Sequence, residues 1–185
     1  MDGDQRNSAN VLRKWRKGLR GAIGDFSFEL VLCEGRYPLL AAVYFFAGYG
    51  SLYFGETQEL YTRVYQHSSG PKWRQHALWA KVKPSLRPDD RAYLEAKLIN
   101  LVAGLRRREV APWARYGLKN VAFTKRMGRF ERHPRENLDA LALLMLDAFA
   151  EFLAKNPDPR GFILDDYAMG KWDKIIDVWT GHLRA

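Results

Sequence analysis

From Val43 to Phe46 and again from Leu52 to Phe54 the chain is β-branched or aromatic, and the intervening Gly48-Tyr49-Gly50-Ser51 has residues that tolerate positive φ. This pattern predicts a β-hairpin. The period then changes: Gln58 to His67 places apolar residues at helical spacing behind Thr57, a residue suited to an N-cap, and sets Arg63 and His67 on one helix face. A strand near Ala77 to Val82 would supply the third member of a small sheet. Asp89 or Asp90 can cap the next helix, where Leu94, Leu98, Leu101, Val102 and Leu105 form an apolar stripe with Glu95 on its flank.

Outside this central region two further helices are expected. Val11 to Arg20 sets Arg13, Lys14, Arg16, Lys17 and Arg20 around Leu12, Trp15 and Leu19, which reads as a short basic amphipathic helix. It would either touch a DNA backbone or dock through Trp15 with its charges in solvent. Between it and the hairpin, Phe26 to Cys33 alternates loosely in the manner of a strand. Toward the other end, Pro134 to Lys155 carries Leu138, Leu141, Leu144, Met145, Ala148, Phe149 and Phe152 at helical spacing, and Asn156-Pro157-Asp158-Pro159 stops it. A last amphipathic piece runs from Trp172 to Leu183. The expected fold class is therefore α/β (α+β): a three-stranded, mainly antiparallel sheet flanked by helices, with additional C-terminal helices. Its parts would be a basic N-terminal extension (1–37), a core (38–122) and a helical C-terminal extension packed on that core (123–185).

Composition narrows the classes. At 185 residues, 47% apolar and 14% aromatic, the chain can bury one sizeable core. Thirty Lys and Arg against twenty-one Asp and Glu leave a net charge of +9, which favours a polyanionic partner such as DNA or RNA and also suits an anionic membrane surface. Basic stretches at Arg106-Arg107-Arg108 and at Lys125, Arg126, Arg129 and Arg132 carry part of that charge. The polar start, Met1 to Asn10, and the short apolar run from Leu39 to Ala47 argue against secretion and membrane insertion, so the expected location is cytoplasmic. Cys33 is the only cysteine, which rules out an internal disulfide and a multi-cysteine zinc site, and the four histidines show no ligand spacing. A divalent metal held by oxygen ligands remains compatible with this composition.

The order Ala42-Val43-Tyr44, eight intervening residues on to Tyr53-Phe54-Gly55, and then Arg63 and His67 resembles the motif of the GIY-YIG endonucleases. Ala42 stands where that family usually has glycine, and the hairpin is slightly short for it. The resemblance continues into Arg91 to Ile99, similar to the family's helix that carries a metal-binding glutamate, with Glu95 at the matching position. Asn120, in Leu118-Lys119-Asn120, is the candidate for the motif's terminal asparagine. The match spans roughly Leu39 to Asn120. It implies a metal-dependent endonuclease that hydrolyses DNA phosphodiester bonds, with both tyrosines, Arg63, His67 and Glu95 converging on the substrate.

Phosphodiester hydrolysis needs a positioned water, positive charge against the developing phosphorane, and relief of the leaving oxygen. Glu95 offers a hard oxygen ligand for Mg²⁺ (or Mn²⁺), which needs few protein carboxylates when a phosphate supplies another oxygen. Arg63 can hold the phosphate through its planar fork of donors. Tyr44 is the nominated general base, because a neighbouring metal or guanidinium can acidify a phenol; Tyr53 is the alternative base or orients the water, and His67 can take or relay the proton. Gly55 would let the backbone pass where a Cβ would intrude. One active centre per chain is compatible with a homodimer that cuts both strands.

Each of these residues also has an ordinary reading. The tyrosines can be plain strand aromatics, Arg63 can pair with Glu59 and Glu95 with Arg91 one helical turn away, His67 can be a helix-end residue, and Asn120 a turn residue. Trp73, Trp79 and Trp113 lie among Lys72, Arg74, Lys81, Lys83 and Arg115, where they could stack on bases or sit in the core. Two rival functions follow: a non-catalytic nucleic-acid-binding module on the same scaffold, or an interaction protein whose basic face meets an acidic partner.

Overall fold

A computed structural model describes residues 2–32, 38–48, 50–68, 76–110, 112–120 and 135–155. The basic stretch at 125–132, the piece from Trp172 to Leu183, Trp73 and Cys33 lie outside the described residues. In order, the elements are α1 (Asp2–Ala22), β1 (Ser27–Leu32), β2 (Ala42–Gly48), β3 (Ser51–Thr57), α2 (Leu60–Ser68), β4 (His76–Lys83), α3 (Pro88–Arg107), a 3₁₀ turn (Trp113–Arg115), β5 (Gly117–Leu118) and α4 (Glu136–Lys155).

The mixed α+β architecture is as expected, but the sheet has five strands instead of three, in the order β1-β4-β2-β3-β5. The hairpin forms its centre, with Tyr44 opposite Gly55 and Phe46 opposite Tyr53. Gly50, at φ 68°, supplies the left-handed residue of its turn. The loosely alternating segment after α1 pairs antiparallel with β4, Ser27 against Lys83 through Leu32 against Leu78, and so becomes one edge. The other edge is β5, only two residues long and parallel to β3. That strand was invisible in the sequence because two residues have no period.

The sheet is covered on both faces. Leu60 and Val64 of α2 meet Ala42, Tyr44, Phe46 and Trp79 on one face. On the other, Val43, Phe45, Leu52, Phe54, Leu78 and Ala80 pack with α3 and α4 in the larger core. Phe149 of α4 is its hub, with its ring stacked on Phe45 at 5.0 Å and within 6.0 Å of Phe54 and 5.8 Å of Trp113. Trp79 and Trp113 are thus core residues, 7% and 1% exposed, and neither can offer its face to a base.

Helix ends depart from the sequence expectation in two places. Pro88 opens α3, with Arg87 as its N-cap and no side-chain cap; Asp89 and Asp90 fall in the first turn, where the helix dipole favours acids. Thr57 ends β3, and its hydroxyl accepts from the Glu59 N–H at 3.1 Å, a turn placed just before α2. The first helix is longer than expected and docks on α4: Arg16 donates to both carboxylate oxygens of Asp147 at 2.7 and 3.0 Å and also bonds Glu151. Arg13, Lys14, Lys17 and Arg20 stay exposed, so Arg16 alone among the five basic residues is taken up in docking.

Candidate active site

Tyr44 and Tyr53 come from the two strands of the hairpin and share a sheet face because Tyr44 pairs with Gly55, two residues beyond Tyr53. Their rings stack with centroids 6.2 Å apart and planes 30° apart. Gly55 is what lets Tyr44 lie down. A Cβ there would stand 2.2 Å from the ring Cζ and 2.3 Å from the hydroxyl oxygen, far inside contact distance. The glycine therefore serves a side chain across the strand pair, instead of a turn or a strained φ.

Arg63 reaches the same place from α2. Its Nε–H donates to the Tyr44 hydroxyl oxygen at 3.2 Å, and Nη1 donates to Gln66 at 3.3 Å. The ordinary expectation for this residue was a pair with Glu59, but the Glu59 carboxylate accepts from Thr62. Burial pushes the Tyr44 hydroxyl well above the ordinary phenol range and the neighbouring Tyr53 adds to the rise, while the Arg63 hydrogen bond and charge pull the other way. The guanidinium that was expected to acidify Tyr44 is in place, yet burial outweighs it. Burial thus opposes loss of the Tyr44 proton.

Glu95 arrives from the opposite layer. It lies on α3 and is buried, with 7% exposure. Residues from both faces meet because β5 pairs only with Ser51 and Leu52 of β3, so beyond that point the strand's margin lies past the ladder. There a cavity of about 340 Å³ is lined by Tyr44, Tyr53, Glu56, Thr57, Gln58, Arg63 and Glu95. Every lining residue carries a side-chain oxygen or nitrogen. Four of the sequence candidates thus share one cavity. His67 falls in the last turn of α2, and its side chain lies outside those described.

Glu56 was missed. Its strand position, one residue past Gly55, points it to the α3 side, where its carboxylate lies 3.5 Å from Nε of Arg91. Arg91 is 4% exposed and also donates from Nη1 to the Leu86 carbonyl at 2.9 Å. The sequence spacing predicts a pair between this buried cation and Glu95 one turn on, and the pair it makes with Glu56 instead ties α3 to β3. An acid directly after the second tyrosine segment was the available signal, but nothing local distinguishes it from a solvated strand residue.

Asn120 stands beside β3 and not in the cavity lining. Its Oδ1 accepts from the Phe54 N–H at 3.0 Å and its Nδ2 donates to the Phe54 carbonyl at 2.7 Å, so the side chain extends the β3–β5 ladder by one amide. Replacing it with alanine strands both backbone groups, and a loss of about 1–3 kcal/mol is expected. Thermal unfolding of Asn120→Ala beside Asn120→Asp checks this. Unchanged stability in both would show that water replaces the amide at no cost.

For a cation, the donors in the cavity are carboxylate and phenol oxygens, a set that suits Mg²⁺ or Mn²⁺ over softer metals. No group of three or more His, Cys, Asp or Glu gathers among the described residues, so substrate and water oxygens would have to complete the coordination. No helix among the described residues is long and apolar enough to cross a membrane. Set against protein-family models, characterised proteins and solved structures, the chain matches none.

Proposed function

We propose that this protein is a metal-dependent endonuclease that hydrolyses DNA phosphodiester bonds, with its active site in the cavity around Tyr44, Tyr53, Arg63 and Glu95. The observation that supports it most is the meeting of those four residues, drawn from four separate elements, in one polar cavity. The net charge of +9 supports a polyanionic substrate. The order of these residues in the chain is that of the GIY-YIG endonucleases, and this resemblance supplies the assignment of reaction.

In this reading Arg63, held by Tyr44, places its remaining donors on the scissile phosphate and favours the more highly charged transition state. Glu95 would hold the divalent cation, which when bound supplies charge neutralisation and acidifies a nearby water. Tyr44 and Tyr53 orient the attacking water and pass its proton along their adjoining hydroxyls. Glu56 keeps its carboxylate at the wall through Arg91. His67 would take or relay the water's proton.

Incubation of the purified protein with supercoiled plasmid in Mg²⁺ or in EDTA tests the proposal. Conversion to open-circular or linear DNA in Mg²⁺ alone is expected. DNA affinity without any metal-dependent nicking would select the binding-module reading instead, and absence of both would favour an acidic protein partner.

A further inference from the structure

On the other side of the Glu56–Arg91 pair lies a second cavity of about 260 Å³, which the proposed chemistry leaves unused. Its polar lining consists of Lys81 and Lys83 from β4, Ser85 from the following loop and the buried Arg91; none of the residues lining it is acidic. Three cationic residues thus line one small space. Arg91 is nine-tenths buried, and its Nε has no hydrogen-bond partner among the described residues; only the Glu56 carboxylate, at 3.5 Å, approaches it. Lys81 and Lys83 are exposed, so their ammonium groups are available to a ligand.

The two cavities are neighbours by strand register. Ala42 and Val43 line the basic one, and their cross-strand partners Thr57 and Glu56 line the proposed active site. Directly opposed residues in an antiparallel pair are about 5 Å apart. A DNA strand lying across the ends of β2 and β3 would therefore meet both in succession. The chemistry of the basic cavity, a buried guanidinium with two mobile ammoniums and a hydroxyl, is that of a phosphate site.

We propose that this cavity is a second phosphate subsite, which takes a backbone phosphate of the DNA strand next to the one held at Arg63. It rests on the reading of the adjoining cavity as a phosphodiester site. A subsite of this kind positions the strand and adds affinity without reading sequence, because phosphate contacts carry no base information.

Binding of a fluorescein-labelled DNA duplex, followed by anisotropy in EDTA over a salt series, tests the subsite apart from catalysis. For Lys81→Ala/Lys83→Ala the dissociation constant is expected to rise about tenfold and the log–log salt slope to flatten by about 0.9, the contribution of one neutralised phosphate contact. Lys81→Arg/Lys83→Arg should retain the wild-type slope. An unchanged slope and affinity in the alanine pair would overturn the subsite even if the wild type nicks DNA. Conversely, a flattened slope in a protein that never nicks would keep the subsite as a phosphate contact and discard the catalytic reading.

Discussion

Arg63→Ala and Glu95→Gln should each lower metal-dependent nicking by about 10²–10³-fold while leaving a protein that still binds DNA. Each removes a different part of the charge arrangement. Arg63→Ala takes away the donor proposed to hold the phosphate and at the same time releases the Tyr44 hydroxyl from its 3.2 Å hydrogen bond. Glu95→Gln keeps the side-chain shape but withdraws the anionic oxygen, so a divalent ion would lose its proposed protein ligand. A thousandfold loss corresponds to about 4 kcal/mol of transition-state stabilisation, more than a surface ion pair contributes. The two variants should differ in binding. Glu95→Gln removes a negative charge beside a polyanion and is expected to hold DNA in EDTA at least as tightly as the wild type, whereas Arg63→Ala should hold it more weakly. Single-turnover nicking and anisotropy on the same preparations measure both effects. Either variant cutting within threefold of the wild type would remove its residue from the mechanism.

Gly55→Ala is expected to be nearly as damaging, by a route that involves no charge. The new Cβ would lie 2.2 Å from the Tyr44 ring. Tyr44 is 1% exposed and packed beside Phe46 and Tyr53, so its ring must leave those neighbours to make room. Overpacking of this kind costs about 1–3 kcal/mol, and relief by shifting the ring carries the hydroxyl away from Arg63. Lower thermal stability and a large loss of nicking should therefore appear together. The double variant Tyr44→Ala/Gly55→Ala removes the ring that clashes, and its stability loss should fall short of the sum of the two single losses by about 1 kcal/mol or more. Strict additivity would mean that the clash is absorbed elsewhere, by movement of the strands.

The parts of this fold that were legible in the sequence are those with a strong period. The β2–β3 hairpin, α3 and α4 bury one face or both, so their apolar spacing marks them with little regard to neighbours. Edges were harder. Ser27–Leu32 alternates only weakly between exposed and half-buried positions, because β1 has a strand on one side alone. β5 owes its existence to pairing with Ser51 and Leu52, and to the Asn120 amide beside it, neither of which leaves a local trace. In the candidate site, Tyr44, Tyr53, Arg63 and Glu95 were found by order along the chain. Glu56 was not, since its meaning depends on Arg91, far away in sequence and recognisable as buried only once α3 is laid on the sheet. The aromatic residues misled in the opposite direction: Trp79 and Trp113 sit among basic residues in sequence, but burial of a large ring outweighs that neighbourhood.

The packing of Phe149 against Phe45 and Phe54 bears on how this protein could be cut down or transplanted. The hairpin's tyrosines occupy one surface of strands whose other surface leans on the final described helix, and that helix is itself clasped by the first through Arg16 and Asp147. A fragment trimmed to the motif alone would retain every proposed reactive group and lose the ground they stand on. Grafting such a cassette into another polypeptide thus requires carrying nearly the whole chain, because the beginning and the end of the described structure are fastened to each other behind the cleft.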